Sequence, residues 1–557
     1  MFVRVKNNGK YDYLQVVHNE RVAEHVRQNV IATLGRLDVL KATGKIDALI
    51  ASCARFAEHT AVINASRRRE IPVASKVRIG PPLVFERLWK ELGFPEILTE
   101  LLCERKYEFS IERAVFLTVL HRLFISGSDR AAERWKQNYS IEGTEELELQ
   151  HLYRAMAWLG TALGNDEQWG ATPFAPRCTK DLIEEALFDH KRDLFSDLSI
   201  VFFDTTSIYF ESEGGETGEY GNTKDHRPDL KQMVVGVVLD KEGNPICSEL
   251  WPGNTTDVKT LIPVVDRLRS RFGVKNICVV ADRGMISKKT IEELQVADRD
   301  IHFILGARMR KVKEVRDEVL SRPGRYREVY GARKCKKDPA PLKVKEVRVG
   351  DRRYIVSHNE DQEKKDREDR QAIVASLKDQ LKQGAKSLVG NKGFRKYLKS
   401  ISGGFKIDEK KIKSEARYDG KWVLQTDMED SAEQIALKYK ELLMVEQFFR
   451  CIKSILETRP IYHKRTETIR GHVFCSFLAL VLLKDLQRRM EERGWRPEWA
   501  HLRDDLNELE EVTVETKGRS FLIRTRTEGE AGKAIQAAGI ALGPVVRLTG
   551  SEKRPRD

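Results

Sequence analysis

The chain has 557 residues, of which 41% are hydrophobic and 33% are charged. This length exceeds that of one compact domain, and the apolar content is too high for a disordered protein, so we expect roughly three or four domains. The longest apolar run, 474–483, is shorter than the roughly 18 residues of a membrane span, and the polar N-terminus lacks the apolar stretch of a secretory signal. Eight scattered cysteines without a CxxC pair argue against disulfides and structural zinc, and predict a cytoplasmic location.

Positive charge is concentrated in one region of the chain. The net charge is +13, and residues 301–420 contain 33 Lys and Arg against 18 Asp and Glu, whereas the remaining residues contain 65 against 67. A confined basic surface is typical of proteins that bind nucleic acid, because each phosphate that is neutralised releases condensed counterions. A solvated, lysine-rich linker is the alternative interpretation of the same pattern.

The first 180 residues divide into two predicted parts. Residues 1–75 are interpreted as a small N-terminal module, in which Asn8-Gly9 is typical of a hairpin turn and a mostly helical stretch extends through Ala48–Phe56. Residues 76–180 have helical apolar spacing over most of their length. We interpret this second part as a helical domain that binds DNA ends, with a plain helical scaffold as the alternative.

Residues 181–306 are predicted to form the first part of an α/β core. The predicted order is strand, strand, strand, helix, strand: Leu198–Phe203, Met233–Leu239, Pro245–Trp251, a helix capped by Thr256 or Asp257 that ends near Phe272, and Asn276–Ala281. Asp204 follows the first strand and Asp282 follows the fourth. Because a hairpin that feeds a crossover helix places these two strands side by side, both carboxylates are expected at one edge of one sheet.

The rest of the chain divides into three further predicted parts. A basic insertion subdomain, 307–425, contains a hairpin at Arg348–Ser357, a charged helix from Gln362 to Leu381 and a strand at Trp422–Gln425. The second part of the core, 426–490, contains a long helix, Ser431–Glu457, and an apolar helix, Val473–Arg489. Residues 491–557 are a C-terminal tail or small unit.

The predicted long helix has three polar side chains at a constant interval. Tyr439, Glu446 and Lys453 are spaced by seven residues, which is nearly two helical turns, so they lie on one stripe with neighbours about 10 Å apart. Val445 and Phe448 flank the glutamate. An apolar setting is unfavourable for a carboxylate unless a partner such as a divalent metal ion neutralises it. An adjacent apolar stripe is expected to face the core: Leu442, Phe449 and Leu456.

Asp204, Asp282 and Glu446 together form a predicted cluster of three carboxylates. Hard oxygen ligands of this kind suit Mg²⁺ or Mn²⁺, and two ions about 4 Å apart support in-line attack on a phosphodiester. Each residue alone has an ordinary explanation, since a strand-terminal Asp commonly forms a turn or cap and a helical Glu is commonly solvated. Combined with the basic region, the three acids indicate an enzyme that cuts DNA.

Five segments resemble the DDE transposases of bacterial insertion sequences: VFFDTTSIYFE, NTKDHRPDLKQ, PGNTTD, VVADRGM and YKELLMVEQFFRCIK. They are similar in particular to the branch with a Y-(2)-R-(3)-E-(6)-K signature, which Tyr439, Glu446 and Lys453 match at the right intervals. Leu442 stands in the place of the arginine, and Arg450, one turn past the glutamate, is a candidate replacement.

The resemblance implies an RNase H-like catalytic core, which is a mixed sheet flanked by helices, interrupted by the basic insertion subdomain and preceded by a largely helical N-terminal region. It implies catalytic and metal-binding roles for Asp204, Asp282 and Glu446. Trp422 resembles a tryptophan that stacks on a flipped base in relatives that excise through a DNA hairpin, with a core-packed tryptophan as the alternative. The residues with predicted DNA contacts are Tyr439, Lys453, Arg450, Trp422, Lys224, Arg227 and Arg283.

The function that the resemblance implies is that of a transposase. Such an enzyme binds the terminal inverted repeats of its element, cleaves the DNA with two Mg²⁺ ions per site, which Mn²⁺ can replace, and joins the freed 3′ ends to target DNA. Two ends imply a homodimer on the DNA. The alternatives are an RNase H-like nuclease or resolvase without strand transfer and a non-catalytic DNA-binding derivative. A metabolic nucleotide enzyme is disfavoured because no GxxxxGK or dinucleotide fingerprint follows a strand.

Overall fold

The computed structural model describes residues 1–22, 25–53, 73–103, 105–125, 127–169, 171, 175–191, 199–273, 277–295, 301–333, 335, 338–382, 394–401, 404–516 and 519–548. They belong to two compact units. The first unit comprises Met1–Leu83, Gln137–Ser140 and Pro497–Asp557, and the second comprises Val84–Lys136 and Ile141–Arg496. No helix within the described ranges is long and apolar enough to cross a membrane.

The strands of the described residues are, in chain order, β1 (Phe2–Asn8), β2 (Tyr11–Val22), β3 (His25–Arg36), β4 (Val73–Arg78), β5 (Ile200–Tyr209), β6 (Gln232–Leu239), β7 (Pro245–Pro252), β8 (Ile277–Ala281), β9 (Ile301–Gly306), β10 (Arg327–Tyr330), β11 (Leu342–Val349), β12 (Arg352–His358), β13 (Leu398–Ile401), β14 (Gly404–Ile407), β15 (Lys421–Thr426), β16 (Glu510–Thr516), β17 (Arg519–Arg524) and β18 (Val546–Leu548).

The α-helices of the same residues are Leu37–Ala42, Lys45–Cys53, Gly80–Glu91, Phe94–Leu102, Ile111–Phe124, Asp129–Trp135, Leu149–Leu159, Thr179–Lys191, Leu261–Phe272, Lys288–Leu294, Glu360–Lys382, Glu409–Ala416, Ala432–Lys440, Leu443–Ser454, Thr466–Glu491, Trp499–Glu508 and Gly529–Ala537.

The first unit contains two antiparallel sheets. One has the order β1-β2-β3, and its first hairpin turns at Gly9, whose φ of 68° suits glycine, so the predicted hairpin is confirmed. The mostly helical stretch predicted after that hairpin is wrong in its first part, because β3 precedes the two short helices; residues 54–56 lie outside the described residues. The other sheet has the order β18-β17-β16-β4, so strands of the C-terminal segment pair with Val73–Arg78.

The second unit is built on a nine-stranded mixed sheet with the order β10-β11-β12-β15-β9-β8-β5-β6-β7. Helices cover it, and the apolar residues of β5, β8 and β9 pack with those of the helix Leu261–Phe272 in one buried core. The predicted order of strand, hairpin, helix and parallel strand is confirmed, since β5 pairs with β6 antiparallel and with β8 parallel. Neither Thr256 nor Asp257 caps the α-helix, because that helix begins at Leu261 and Thr260 precedes it; Thr256 stands before a short 3-10 turn, Asp257–Lys259, and makes no side-chain capping bond.

Strands of the predicted basic insertion continue this sheet. The hairpin of β11 and β12 and the following helix, Glu360–Lys382, are confirmed, and β15 joins β12 to β9. Within 307–425, only β13 and β14 form a separate two-stranded sheet among the residues that the structure describes. The basic segment is therefore hydrogen-bonded to the central sheet, and its division from the core as a subdomain stays a prediction.

The helix Thr466–Glu491 is buried on nearly all sides, as expected for a helix that is apolar around its circumference. It begins seven residues before the predicted apolar helix and packs against β7 and the helices Ile111–Phe124 and Leu149–Leu159. Glycine allows the closest helix contact: a Cβ on Gly471 would lie 1.9 Å from the carbonyl oxygen of Met156.

Replacing Gly471 by alanine should therefore destabilise the second unit by about 1–3 kcal/mol, because the added methyl group meets a backbone atom that cannot rotate away. Urea unfolding monitored by circular dichroism measures the change. The control is Gly273→Ala, where an added Cβ has open space but the backbone is left-handed with φ of 62°. A cost for Gly471→Ala no greater than that of the control would show that the helices separate easily.

Candidate active site

Asp204 and Asp282 lie at corresponding positions on neighbouring strands. The parallel register between β5 and β8 runs from Ile200 opposite Cys278 to Phe203 opposite Ala281, and the next residues along the two strands are Asp204 and Asp282. The expectation that both acids lie at one place in one sheet is met. The prediction that the first strand ends before Asp204 is wrong, because β5 continues to Tyr209 through its antiparallel pairing with β6.

The carboxylate of Asp204 is half-buried near two other acids. Burial is the main cause that raises its pKa, to about 6, and the charges of Asp282 and Asp257 raise it further, whereas Lys224 and the N–H of Thr205 act in the opposite direction. The Thr205 N–H donates to Asp204 Oδ1 at 2.7 Å. Burial and the two neighbouring acids therefore outweigh the effect of Lys224 on the pKa of Asp204.

Asp257 and Lys224 complete this group of side chains. The Thr205 hydroxyl donates to Asp257 Oδ1 at 2.7 Å, and Lys224 Nζ donates to the Thr205 carbonyl at 2.6 Å. The same ammonium lies 3.6 Å from Asp257 Oδ2 and 4.0 Å from Asp204 Oδ1. The sequence predicts Asp257 only as one of two alternative helix caps, because no local pattern in PGNTTD indicates that its carboxylate contacts Thr205 of β5.

Tyr439 contacts the second acid directly. Its hydroxyl donates to Asp282 Oδ1 at 3.2 Å, and burial together with the charge of Asp282 raises the pKa of the tyrosine. Gly306 at the end of β9 makes room for this contact, since a Cβ there would lie 2.5 Å from the tyrosine oxygen. The predicted single helix Ser431–Glu457 is wrong: Ala432–Lys440 and Leu443–Ser454 are separate helices.

Glu446 lies in the first turn of the helix Leu443–Ser454, which packs against β5 and β6 through a buried face. The members of that face are Val445, Phe448, Phe449 and Ile452. Glu446 itself is exposed. The interpretation of its setting as unfavourable for a carboxylate is therefore wrong, although the predicted apolar stripe is buried as expected: Leu442, Phe449 and Leu456.

Lys453 is bound to an acid of the loop between β5 and β6. Its Nζ lies 2.7 Å from Asp225 Oδ1, and Arg459 forms an ion pair with the same oxygen. Burial lowers the pKa of Lys453. This pairing between residues far apart in sequence had no signal in the spacing of the helix.

The other predicted DNA-binding residues occupy varied surroundings. Arg450 and Arg283 are exposed. Arg227 forms a surface pair with Asp229 at 2.9 Å. Trp422 is half-buried on β15, opposite Ser357 of β12.

A second cluster of titratable side chains was not anticipated as a unit. Among the described residues, the one group of three His, Cys, Asp or Glu whose ligand atoms all lie within 4.8 Å is Asp129, His463 and His472. The guanidinium of Arg122 contacts His472 Nδ1 at 2.9 Å and lies 3.7 Å from Asp129. The other ring nitrogen of His472 donates to the Thr458 carbonyl at 3.1 Å. Because the arginine already supplies the positive charge, this group is a hydrogen-bonded network.

The acids of the sheet suit a divalent cation better. Asp204, Asp282 and Asp257 present hard oxygen ligands, and the pKa of Asp204 is raised first by burial and then by the charges of the other two acids. The carboxylates of Asp204, Asp282 and Glu446 do not all lie within 4.8 Å of one another. A pair of ions can be held by ligands that are further apart, since each ion needs only some of them.

Comparisons with known proteins identify the family of the chain. The family described as transposase DDE domain matches residues 195–482, and the N-terminal domain of the IS1634 family of transposases matches residues 2–65. No curated protein matches the chain. Among solved structures, the chain is similar to a piggyBac transposase in a synaptic complex with hairpin DNA, seen by cryo-electron microscopy, with 8% identity, a TM-score of 0.38 and coverage of 77% of this chain and 79% of that chain. Because the DDE-domain match spans more than half of the 557 residues, the chain belongs to the family of transposases with a DDE domain.

Proposed function

We propose that this transposase binds the terminal inverted repeats of its element and catalyses Mg²⁺-dependent cleavage and joining of DNA strands. The observation that carries the proposal is the register of β5 and β8, which brings Asp204 and Asp282 to adjacent positions with Asp257 and Lys224 beside them. Two metal ions, held by Asp204, Asp282 and Glu446, would supply Lewis-acid activation of the attacking oxygen and stabilise the leaving oxygen.

The residues of the site position the DNA for two successive nucleophilic displacements at phosphorus. In the first, water attacks the phosphorus at the element end and the bond from phosphorus to the 3′ oxygen breaks, which leaves a 3′-OH and a 5′-phosphate. In the second, that 3′-OH attacks a target phosphodiester and releases a target 3′-OH. Tyr439 orients Asp282 through its hydrogen bond. Arg450, Arg283, Arg227 and Trp422 extend the contact surface for DNA.

The finer structural assignments belong to the same proposal. The second unit has an RNase H-like core with a basic insertion, and the chain falls in the branch with the Y-R-E-K signature. Leu442, which stands in the place of the signature arginine, is buried and cannot contact phosphate. The exposed Arg450, one turn past Glu446, makes the phosphate contact of that arginine instead. Of the six parts predicted for the chain, the helical part 76–180 binds the DNA ends. Two subunits act on two ends as an isologous dimer.

A strand-transfer assay tests the proposed function. The purified chain is incubated with Mg²⁺, a plasmid target and pre-cleaved DNA that carries the inverted repeats bracketing the reading frame. Joined product is expected, and EDTA should abolish it. Cleavage of uncut ends without joining would favour the nuclease or resolvase, and binding without cleavage or joining would favour the non-catalytic derivative.

A further inference from the structure

Two cationic side chains, Lys453 and Arg459, form ion pairs with one carboxylate, that of Asp225. Lys453 and Arg459 both contact Asp225 Oδ1, and the exposed fractions of the three side chains are 15%, 27% and 5%. Among the described residues, Asp225 Oδ2 is buried and has no hydrogen-bond partner. Both cations therefore contact the same oxygen of the carboxylate, and its second oxygen is left unpaired. A group with several anionic oxygens would use both cations better.

The two cations lie near the predicted catalytic glutamate. Lys453 lies on the same helix as Glu446, seven residues further on, which places it about 10 Å along the helix axis. Arg459 follows that helix, and its guanidinium also lies 5.7 Å from the ring centre of Tyr209, the last residue of β5. An anion held between the two cations is therefore close to the acids but separate from them.

The acid that occupies the site lies in a surface loop. Lys224 anchors the loop beside Asp204, since its N–H donates to the Ser207 hydroxyl at 2.8 Å. The Thr223 hydroxyl accepts the N–H of Asp225. His226, the next residue, has a φ of 58°, a left-handed conformation that is unfavourable for a residue other than glycine. A shift of this loop frees the cations without disturbing a strand.

We propose that Lys453 and Arg459 form a binding site for a DNA phosphate, and that the Asp225 carboxylate occupies this site until DNA displaces it. The inference rests on the proposed function, which it extends by adding Arg459 and by giving Asp225 the role of an internal competitor. The ligand is a phosphodiester of the DNA strand, next to the one that is cut.

The test is a double-mutant cycle on DNA affinity. Asp225→Asn should tighten the binding of a random-sequence 20-base-pair duplex by about tenfold, measured by fluorescence anisotropy, because the competing charge is removed and the shape is kept. The matched control is Glu213→Gln, which removes the same charge from the same connection between β5 and β6, at an exposed pair with Lys231 that has no assigned DNA contact. In the Lys453→Gln background, the gain from Asp225→Asn should disappear.

Inorganic phosphate gives a second measurement that does not depend on DNA. Phosphate should raise the melting temperature of Asp225→Asn more than that of Glu213→Gln, because it takes the place of the missing carboxylate. If Asp225→Asn weakens DNA binding, or tightens it no more than Glu213→Gln does, the proposed displacement is wrong. These binding results do not depend on catalysis, so a chain that binds DNA as expected but neither cuts nor joins it would refute the proposed function alone.

Discussion

Replacing Asp204 by asparagine should lower the rate of DNA strand cleavage by on the order of 10³-fold, while the affinity for DNA changes by no more than about twofold. The metal ions are expected to contribute several kcal/mol to the stabilisation of charge in the transition state, and each 1.36 kcal/mol is about tenfold in rate. Asparagine keeps the shape of the side chain but removes the charge. The measurement is single-turnover cleavage of an element end in Mg²⁺.

Asp282→Asn and Glu446→Gln should have effects of the same size if the three acids act together. Glu441→Gln is the matched control, because Glu441 is an exposed acid just before the Glu446 helix and outside the group of acids. Binding of Mn²⁺, followed by calorimetry in the absence of DNA, should weaken in the three acid variants and not in the control. A variant that cleaves at the wild-type rate would remove that residue from the catalytic set.

Replacing Arg271 by methionine should lower the free energy of unfolding of the second unit by about 3–5 kcal/mol, because it removes from the buried carboxylates a cation that pairs with three of them. Arg271 lies 3.1 Å from Asp181, 2.7 Å from Glu184 and 2.7 Å from Glu185, and only 2% of its side chain is exposed. Burial favours a raised pKa for Asp181, but the charges of Lys180, Arg271 and Arg267 outweigh it and hold that pKa well below its usual range.

Urea unfolding of the full chain, followed by circular dichroism, measures this cost as a change in midpoint. Lys288→Ala is the control, since Lys288 belongs to an exposed pair with Glu292 and its loss should change stability by less than about 0.5 kcal/mol. The helix Leu261–Phe272, which carries Arg271, connects β7 to β8. A midpoint for Arg271→Met equal to that of the control would show that the buried acids become protonated or hydrated at little cost.

The adjacency of Asp204 and Asp282 was predictable because it follows from chain order. A hairpin and a crossover helix between two strands allow only a few arrangements, and the structure has the expected parallel pair. The burial of the stripe that contains Leu442 and Phe449 was predictable for a similar reason, since helical periodicity decides which side chains share a face.

Contacts between distant residues were not predictable from the sequence. The carboxylate of Asp225 meets Lys453 across 228 positions, and the loop that carries it has no periodic pattern. The division of the long helix at Glu441 and Leu442 was also missed, because neither residue is a glycine or proline and no local signal marks the break. The exposure of Glu446 depends on what packs around its helix, which its two apolar neighbours alone do not reveal.

The continuous hydrogen-bonded ladder from β8 through β9 and β15 to β12 limits how the basic segment can change in length. Removing β15 would turn β9 into an unprotected edge strand beside the strand that leads to Asp282, and such edges promote aggregation. Among the described residues, 359–382, 394–401 and 404–420 follow β12 and precede β15 without joining this ladder, so we expect changes of length to be tolerated best between those two strands.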